Sequence, residues 1–264
     1  MQMIALRLAC SLQMGLCKMI LYDGENAGTE LIQLANLNPI IIGNGIIDNP
    51  QELYNKLEEV RKNIPYTIQK VLGASFVDKT LIDYNQTAGE LAKPYTFIVI
   101  SDFPHTIDKK TAALLLQIIK TGRRAGVYVL MNMDTNMTLG SNEYDQIDQK
   151  LFLDSMSVVY SSNGRYYIKN LFRDKDIEHL VSTFSLQLDS SLPNNIESVK
   201  AEIDERLSQL SSAKLDMTAE FTDSSLWSKT SDNGICVPIG KINSSKLQNL
   251  ELYIFRPISV HHFQ

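Results

Sequence analysis

The chain has 264 residues, enough for one large or two small domains with a substantial core, and its 44% hydrophobic and 21% charged content is that of an ordinary globular protein. A net charge of −5 and a pI near 5.4 leave no electrostatic footprint for nucleic acid. Three cysteines (Cys10, Cys17, Cys236) make no CxxC pair and no metal spacing with the four histidines, so they read as reduced thiols of a cytosolic protein.

The first 22 residues are apolar, but Arg7 and Lys18 interrupt them and no basic segment leads them; they read as neither signal peptide nor membrane span. Met3 to Leu16 has helical spacing, and Lys18 to Asp23 reads as a buried strand stopped by Asp23-Gly24. A short helix to about Leu37 follows. Ile40 to Ile47, broken by Gly43 and Gly45, is a second candidate strand. Asn49-Pro50 opens a helix with Leu53, Leu57, Val60 and Ile64 on its apolar face; Pro65 kinks it or starts a new helix near there. Another short helix spans Leu81 to Ala88.

Residues 93–134 organise the rest. Phe97 to Ile100 is an apolar run leading into Ser101 and Asp102, an amphipathic helix covers Asp108 to Thr121, and Gly122-Arg123-Arg124-Ala125-Gly126 turns into the apolar run Val127 to Met131. Two β-branched runs joined by a helix predict a parallel β-α-β unit in an α/β fold. Asp102 then lies at the carboxyl end of a strand, where open α/β sheets bind ligands.

Beyond residue 137 the pattern changes. Glu143 to Leu153 reads as a short helix, and Ser162-Asn163-Gly164 between the runs Met156–Tyr160 and Arg165–Lys169 signals a hairpin. Asp174 to Leu188 reads as a helix. Pro193 to Ser212 reads as an exposed amphipathic helix, with Ile196, Val199, Ile203, Leu207 and Leu210 on one face. The remainder, from Phe221, is β-rich.

Several of these strings resemble the FtsK/SpoIIIE-type DNA-translocase ATPases. FIVISDFP, a helix, then TGRRAGVYVLMNMD is similar to the family's Walker B strand ending in Asp-Glu-Phe, its following helix, and a Gly-Arg-x-x-Gly entry to the next strand. Upstream, Asp23-x-x-x-x-Gly28, Asp83-Tyr84-Asn85 and Gly89-Glu90-x-x-x-Pro94-Tyr95 are similar to the same domain past its Walker A helix, so the likeness covers about residues 3 to 134. Trp227 with Gly234-Ile-Cys-Val-Pro-Ile-Gly240-Lys241 resembles the β-rich lead-in to a further domain of this type. The resemblance implies a partial RecA-like (P-loop NTPase) three-layer sheet over residues 1–140, completed by the hairpin and helix of 141–190. A helical linker over 191–218 and a β-rich lead-in over 219–264 would follow, the whole being a fragment of a larger protein.

The resemblance also implies ATP and Mg²⁺ as cofactors, other copies or motor domains and double-stranded DNA as partners, and roles for particular residues. Asp102 corresponds to a Walker B magnesium ligand. Asp134 corresponds to a sensor-like polar group, and Arg123 and Arg124 to phosphate-binding or inter-subunit arginines. Read from the residues alone, Asp102 caps the turn before Pro104, Asp134 is a solvated turn residue, and the arginines complement a helix C-terminus. The departures from the family are specific. Ser101-Asp102 stands where two carboxylates are expected, and no G-x-x-x-x-G-K-[ST] string exists. Gly240-Lys241 is followed by Ile242 where a hydroxyl is needed, and Pro238 stiffens the preceding backbone. The expectation is a degenerate nucleotide site with a role in assembly or regulation. The alternative is a protein-interaction module that docks a partner through the Ile196–Leu210 face or the Asn163-Gly164 hairpin.

Overall fold

The computed structural model describes residues 1–74, 78–134, 149–171 and 195–212, the isolated positions 177, 179 and 185, and strands at 238–244 and 247–254. Four parallel strands form the central sheet in the order β2-β1-β3-β4: β1 is Cys17–Tyr22, β2 Ile46–Ile47, β3 Tyr95–Phe103 and β4 Val127–Met133. The two apolar runs of the β-α-β unit lie side by side, with Thr96 opposite Val127 and Ile100 opposite Met131.

Helices cover both faces, and the alternation along each strand decides which residue goes where. Met19, Leu21, Phe97 and Val99 point to one face. There they meet α1 (Gln2–Ser11), the 3₁₀ turn Thr29–Leu34, α2 (Pro39–Ile42) and Leu81 of α4 (Leu81–Ala88). Tyr22, Ile98 and Ile100 point to the other. They meet α3 (Pro50–Tyr66), α5 (Lys109–Gly122) and Phe152 of α6 (Gln149–Ser155), with Phe103 and Phe152 4.7 Å apart. The result is a three-layer α/β/α unit.

The β-α-β unit has strong local signals. Asp108 caps α5 by accepting from the Thr111 backbone N–H at 2.7 Å, and Leu114, Leu115 and Ile118 bury its apolar stripe. Gly126, at φ +74°, ends the turn into β4; a Cβ there would lie 2.5 Å from Leu81 Cδ2, so only glycine fits.

Two expectations are corrected. Ile40 to Ile47 is not one strand: Asn38 caps Ile40 N–H, Pro39 starts the short helix α2, and Gly43 and Gly45 at positive φ leave only Ile46–Ile47 as strand. Pro65 lies in the last turn of α3, and a π-helix follows directly over Thr67–Leu72. The helix expected to be exposed, α7 (Ile196–Ser212), instead packs on the core. Ile203 and Leu207 are buried, and Asn38 Nδ2 donates to Asp204 Oδ1 at 2.8 Å. An apolar stripe looks the same in sequence whether it meets its own core or a stranger.

The hairpin is observed as β5 (Val158–Ser162) and β6 (Arg165–Lys169), turning through Asn163 and Gly164 at positive φ. Near the end of the chain β7 (Pro238–Ser244) pairs antiparallel with β8 (Leu247–Ile254). The expected helix over 174–188, apart from positions 177, 179 and 185, and the Trp227 motif up to residue 237 fall outside the described residues; the end of the motif, 238–241, lies in β7. Among the described residues no helix is long and apolar enough to cross a membrane.

Candidate functional site

The loops after β1, β3 and β4 meet at the carboxyl end of the sheet. Asp23, immediately after β1, is fully buried. Its Oδ1 accepts from Ser101 Oγ at 2.9 Å and from Asn26 N–H at 3.3 Å, and its Oδ2 accepts from Glu30 N–H at 2.8 Å. A buried carboxylate persists only when donors of this kind replace its water. Ser101 is buried too and supplies the one side-chain donor of the three.

Asp102 is half-buried within β3, and its Oδ2 accepts from Asn26 Nδ2 at 2.7 Å. The strand runs on to Phe103, so Asp102 does not cap a turn; it holds the β1 loop against β3. A second tie lies alongside, where Tyr22 Oη and Thr106 Oγ1 share a 2.6 Å hydrogen bond over Gly24. Burial raises the Tyr22 phenol above its ordinary value, and the bond to Thr106 works in the opposite direction. A Cβ on Gly24 would fall 2.2 Å from Tyr22 Oη and 2.3 Å from Thr106 Oγ1, so the close approach of the two loops requires glycine.

Asp134 follows β4 at this same end. Its backbone N–H donates to Phe103 O at 2.8 Å. His105 stands between carboxylates of two loops, with Nδ1 3.8 Å from Glu25 Oε2 and Nε2 3.9 Å from Asp134 Oδ2. Asp102 and Asp134 are therefore brought to one end of the sheet.

Arg123 and Arg124 are not. They form the turn before β4, at the amino end of the strands, and Arg124 Nε donates to Lys79 O at 3.2 Å. A seven-residue strand separates the two ends, about 20 Å at the usual rise. Neither arginine can share a phosphate with Asp102 of the same chain.

Reading along the chain did not assign Asp23, Asn26 or Thr106 to the site. The available signal was an acidic residue closing one buried strand and a serine closing another, which parallel pairing brings into register at Tyr22–Ile100.

A magnesium–nucleotide group fits these residues poorly. Both oxygens of Asp23 are engaged by protein donors, Asp102 has one oxygen tied to Asn26, and Ser101 is turned to Asp23. Among the described residues no three His, Cys, Asp or Glu side chains are arranged to hold a metal. Gly240 and Lys241 lie in strand β7, whereas a phosphate loop wraps its backbone N–H groups around the ligand.

The sequence matches no family model and no curated protein. Among solved structures it is similar to ATPases 2 and 3 of EssC from Geobacillus thermodenitrificans, with a TM-score of 0.52 and 14% identity over 80% of this chain and 41% of that one. It is also similar to the cytoplasmic domain of EssC (TM-score 0.47, 12% identity, 96% of this chain and 51% of that one). A third similar structure is the cytoplasmic domain of the type VII secretion ATPase EccC of Thermomonospora curvata (0.47, 17%, 76% and 26%). The chain thus spans less than half of the first EssC structure, and what it shares with that ATPase is the fold: a parallel sheet between two helical layers.

Proposed function

We propose that this chain is a segment of an FtsK/SpoIIIE-like ATPase whose own nucleotide site is degenerate, and that it serves assembly or regulation of the larger protein instead of turnover. The observation that carries the reading is the closed strand end. Where the family resemblance calls for paired carboxylates open to a metal, Ser101 donates to the buried Asp23, and Asp102 is tied to the β1 loop through Asn26. The missing G-x-x-x-x-G-K-[ST] string supports the same conclusion. The partners of such a segment are other copies or other motor domains of the same protein, with double-stranded DNA a partner of the whole by resemblance only. Asp134 is a strand-end residue of the closed face, and an inter-subunit contact is the one phosphate role that the position of Arg123 and Arg124 leaves them.

Calorimetric titration with ATP, with and without Mg²⁺, tests this. The expected result is no saturable heat at micromolar to low-millimolar nucleotide for the native chain or for Asp102→Ala. Micromolar affinity that requires Mg²⁺ and collapses in Asp102→Ala would refute it.

The interaction-module alternative loses one of its two surfaces, because Ile203 and Leu207 of α7 are already buried in the core. The hairpin surface remains.

A further inference from the structure

The β5–β6 hairpin is a two-stranded sheet of its own; among the described residues no third strand joins it. Its base is fastened to α6 by Asn170 Nδ2, which donates to Leu153 O at 2.7 Å, and is itself tied together by Ser157 Oγ donating to Asn170 O at 2.9 Å. The strands beyond project into solvent. Val159, Tyr160 and Tyr166 are 49%, 40% and 42% exposed, which is unusual for side chains of this size. Two-stranded hairpins are marginal in water, and a further strand or layer normally completes them.

The register sorts the side chains. Tyr160 faces Tyr167 across the ladder, stacked at 5.6 Å, and Ser162 faces Arg165. Arg165, Tyr167 and Lys169 therefore line one face of β6 at two-residue intervals, with Lys169 Nζ 5.8 Å from the Tyr160 ring. The two strands, VVYSS and RYYIK, contain two cations and no carboxylate. In a chain of net charge −5 this is a local reversal of sign.

We propose that the β6 edge binds an extended acidic peptide as a third strand. Its main chain continues the ladder. Its alternate side chains, carboxylate, then an apolar or aromatic residue, then carboxylate, lie beside Arg165, Tyr167 and Lys169. Neighbouring strands run about 5 Å apart and side chains repeat every second residue, so a carboxylate-x-aromatic-x-carboxylate spacing matches the cation-x-tyrosine-x-cation row. Backbone pairing gives the affinity and the flanking charges select the sequence. The proposal does not depend on whether any nucleotide binds at the carboxyl end of the central sheet.

The test is fluorescence anisotropy of the full chain with labelled peptides. One carries Glu-Val-Tyr-Val-Glu, one Lys-Val-Tyr-Val-Lys, and one is the acidic peptide N-methylated at the backbone. The acidic peptide is expected to bind, and the lysine and N-methyl peptides to bind at least about tenfold more weakly. In the double variant Arg165→Glu/Lys169→Glu the preference between the acidic and lysine peptides inverts. Both changes are at exposed positions, and circular dichroism of the variant checks that the fold is retained. Equal binding of acidic and lysine peptides, a double variant with unchanged preference, or undiminished binding of the N-methyl peptide overturns the proposal. So does a single-stranded oligonucleotide that displaces the acidic peptide at lower concentration than unlabelled peptide does.

Discussion

Replacing Ser101 probes the closed strand end most sharply, because two substitutions there separate a lost donor from an added charge. Ser101→Ala removes the side-chain donor to Asp23, a 2.9 Å hydrogen bond to a fully buried carboxylate. A bond of this kind contributes about 1.5–3 kcal/mol. Ser101→Asp removes the donor and also places a second carboxyl against the first. Two like charges about 4 Å apart at an effective dielectric near 20 repel by about 4 kcal/mol. The introduced carboxyl escapes that repulsion only by keeping its proton, which raises its folded pKa. Starting from an unfolded value of about 3.9, holding the proton costs about 1.5 kcal/mol at pH 5 and more than about 5 kcal/mol at pH 8. The sign follows from linkage: a carboxyl with a raised folded pKa loses stability as pH rises from the unfolded pKa toward the folded one. Urea unfolding followed by circular dichroism at pH 5 and pH 8 should show Ser101→Ala destabilised similarly at both. Ser101→Asp should approach Ser101→Ala at pH 5 and fall about 4 kcal/mol below it at pH 8. A Ser101→Asp protein as stable as the native chain at pH 8 would contradict the contact between Ser101 and Asp23.

Gly24→Ala forces a methyl between Tyr22 Oη and Thr106 Oγ1; separating that pair should cost about 1–3 kcal/mol, measured by the same unfolding assay, and no loss would mean that the loops are not in contact. Leu207→Ala in α7 removes a side chain that is 2% exposed, so unfolding should weaken by about 2–5 kcal/mol, whereas a solvent-borne linker would leave stability unchanged. Burial pushes the Cys17 thiol up to about 12 from 9.0, with a further raising influence from Cys10. Cys17 should resist thiol reagents at pH 8 until the protein unfolds, and its contribution to stability should be lost as pH rises from about 9 toward 12. Mass spectrometry of the labelled native protein checks this, and modification of Cys17 at the rate of the exposed Cys10 would contradict it.

The parts of the fold readable along the chain were those with dense local signals. Phe97 to Ile100 and Val127 to Met131 are uninterrupted apolar runs with a capped helix between them, and each of these features survives in the structure. Ile40 to Ile42 misled because β-branching favours strands, while the Asn38-Pro39 start that overrode it acts through one capping bond and a fixed φ. The site was half legible. Asp102 and Asp134 follow from strand ends, but Asp23, the partner of Ser101, is 78 residues from it, and Asn26, the partner of Asp102, is 76 residues from it. Asp23-Gly24 reads as an ordinary turn until parallel pairing sets it beside Ser101. The burial of α7 was illegible for a similar reason: nothing within Ile196–Ser212 names the surface that its stripe covers.

The state of Asp102 is open to direct measurement. Mn²⁺ broadens nearby nuclear resonances, so titrating Mn²⁺ with ATP while following the Asn26 side-chain amide reports on the oxygen that this amide is bonded to. With the strand end closed as described, the Asn26 resonance stays sharp through micromolar metal and nucleotide, and Asp102→Ala changes nothing in the titration. Saturable broadening at micromolar Mn²⁺–ATP that disappears in Asp102→Ala would show an open, metal-binding strand end and overturn the assignment of a degenerate site.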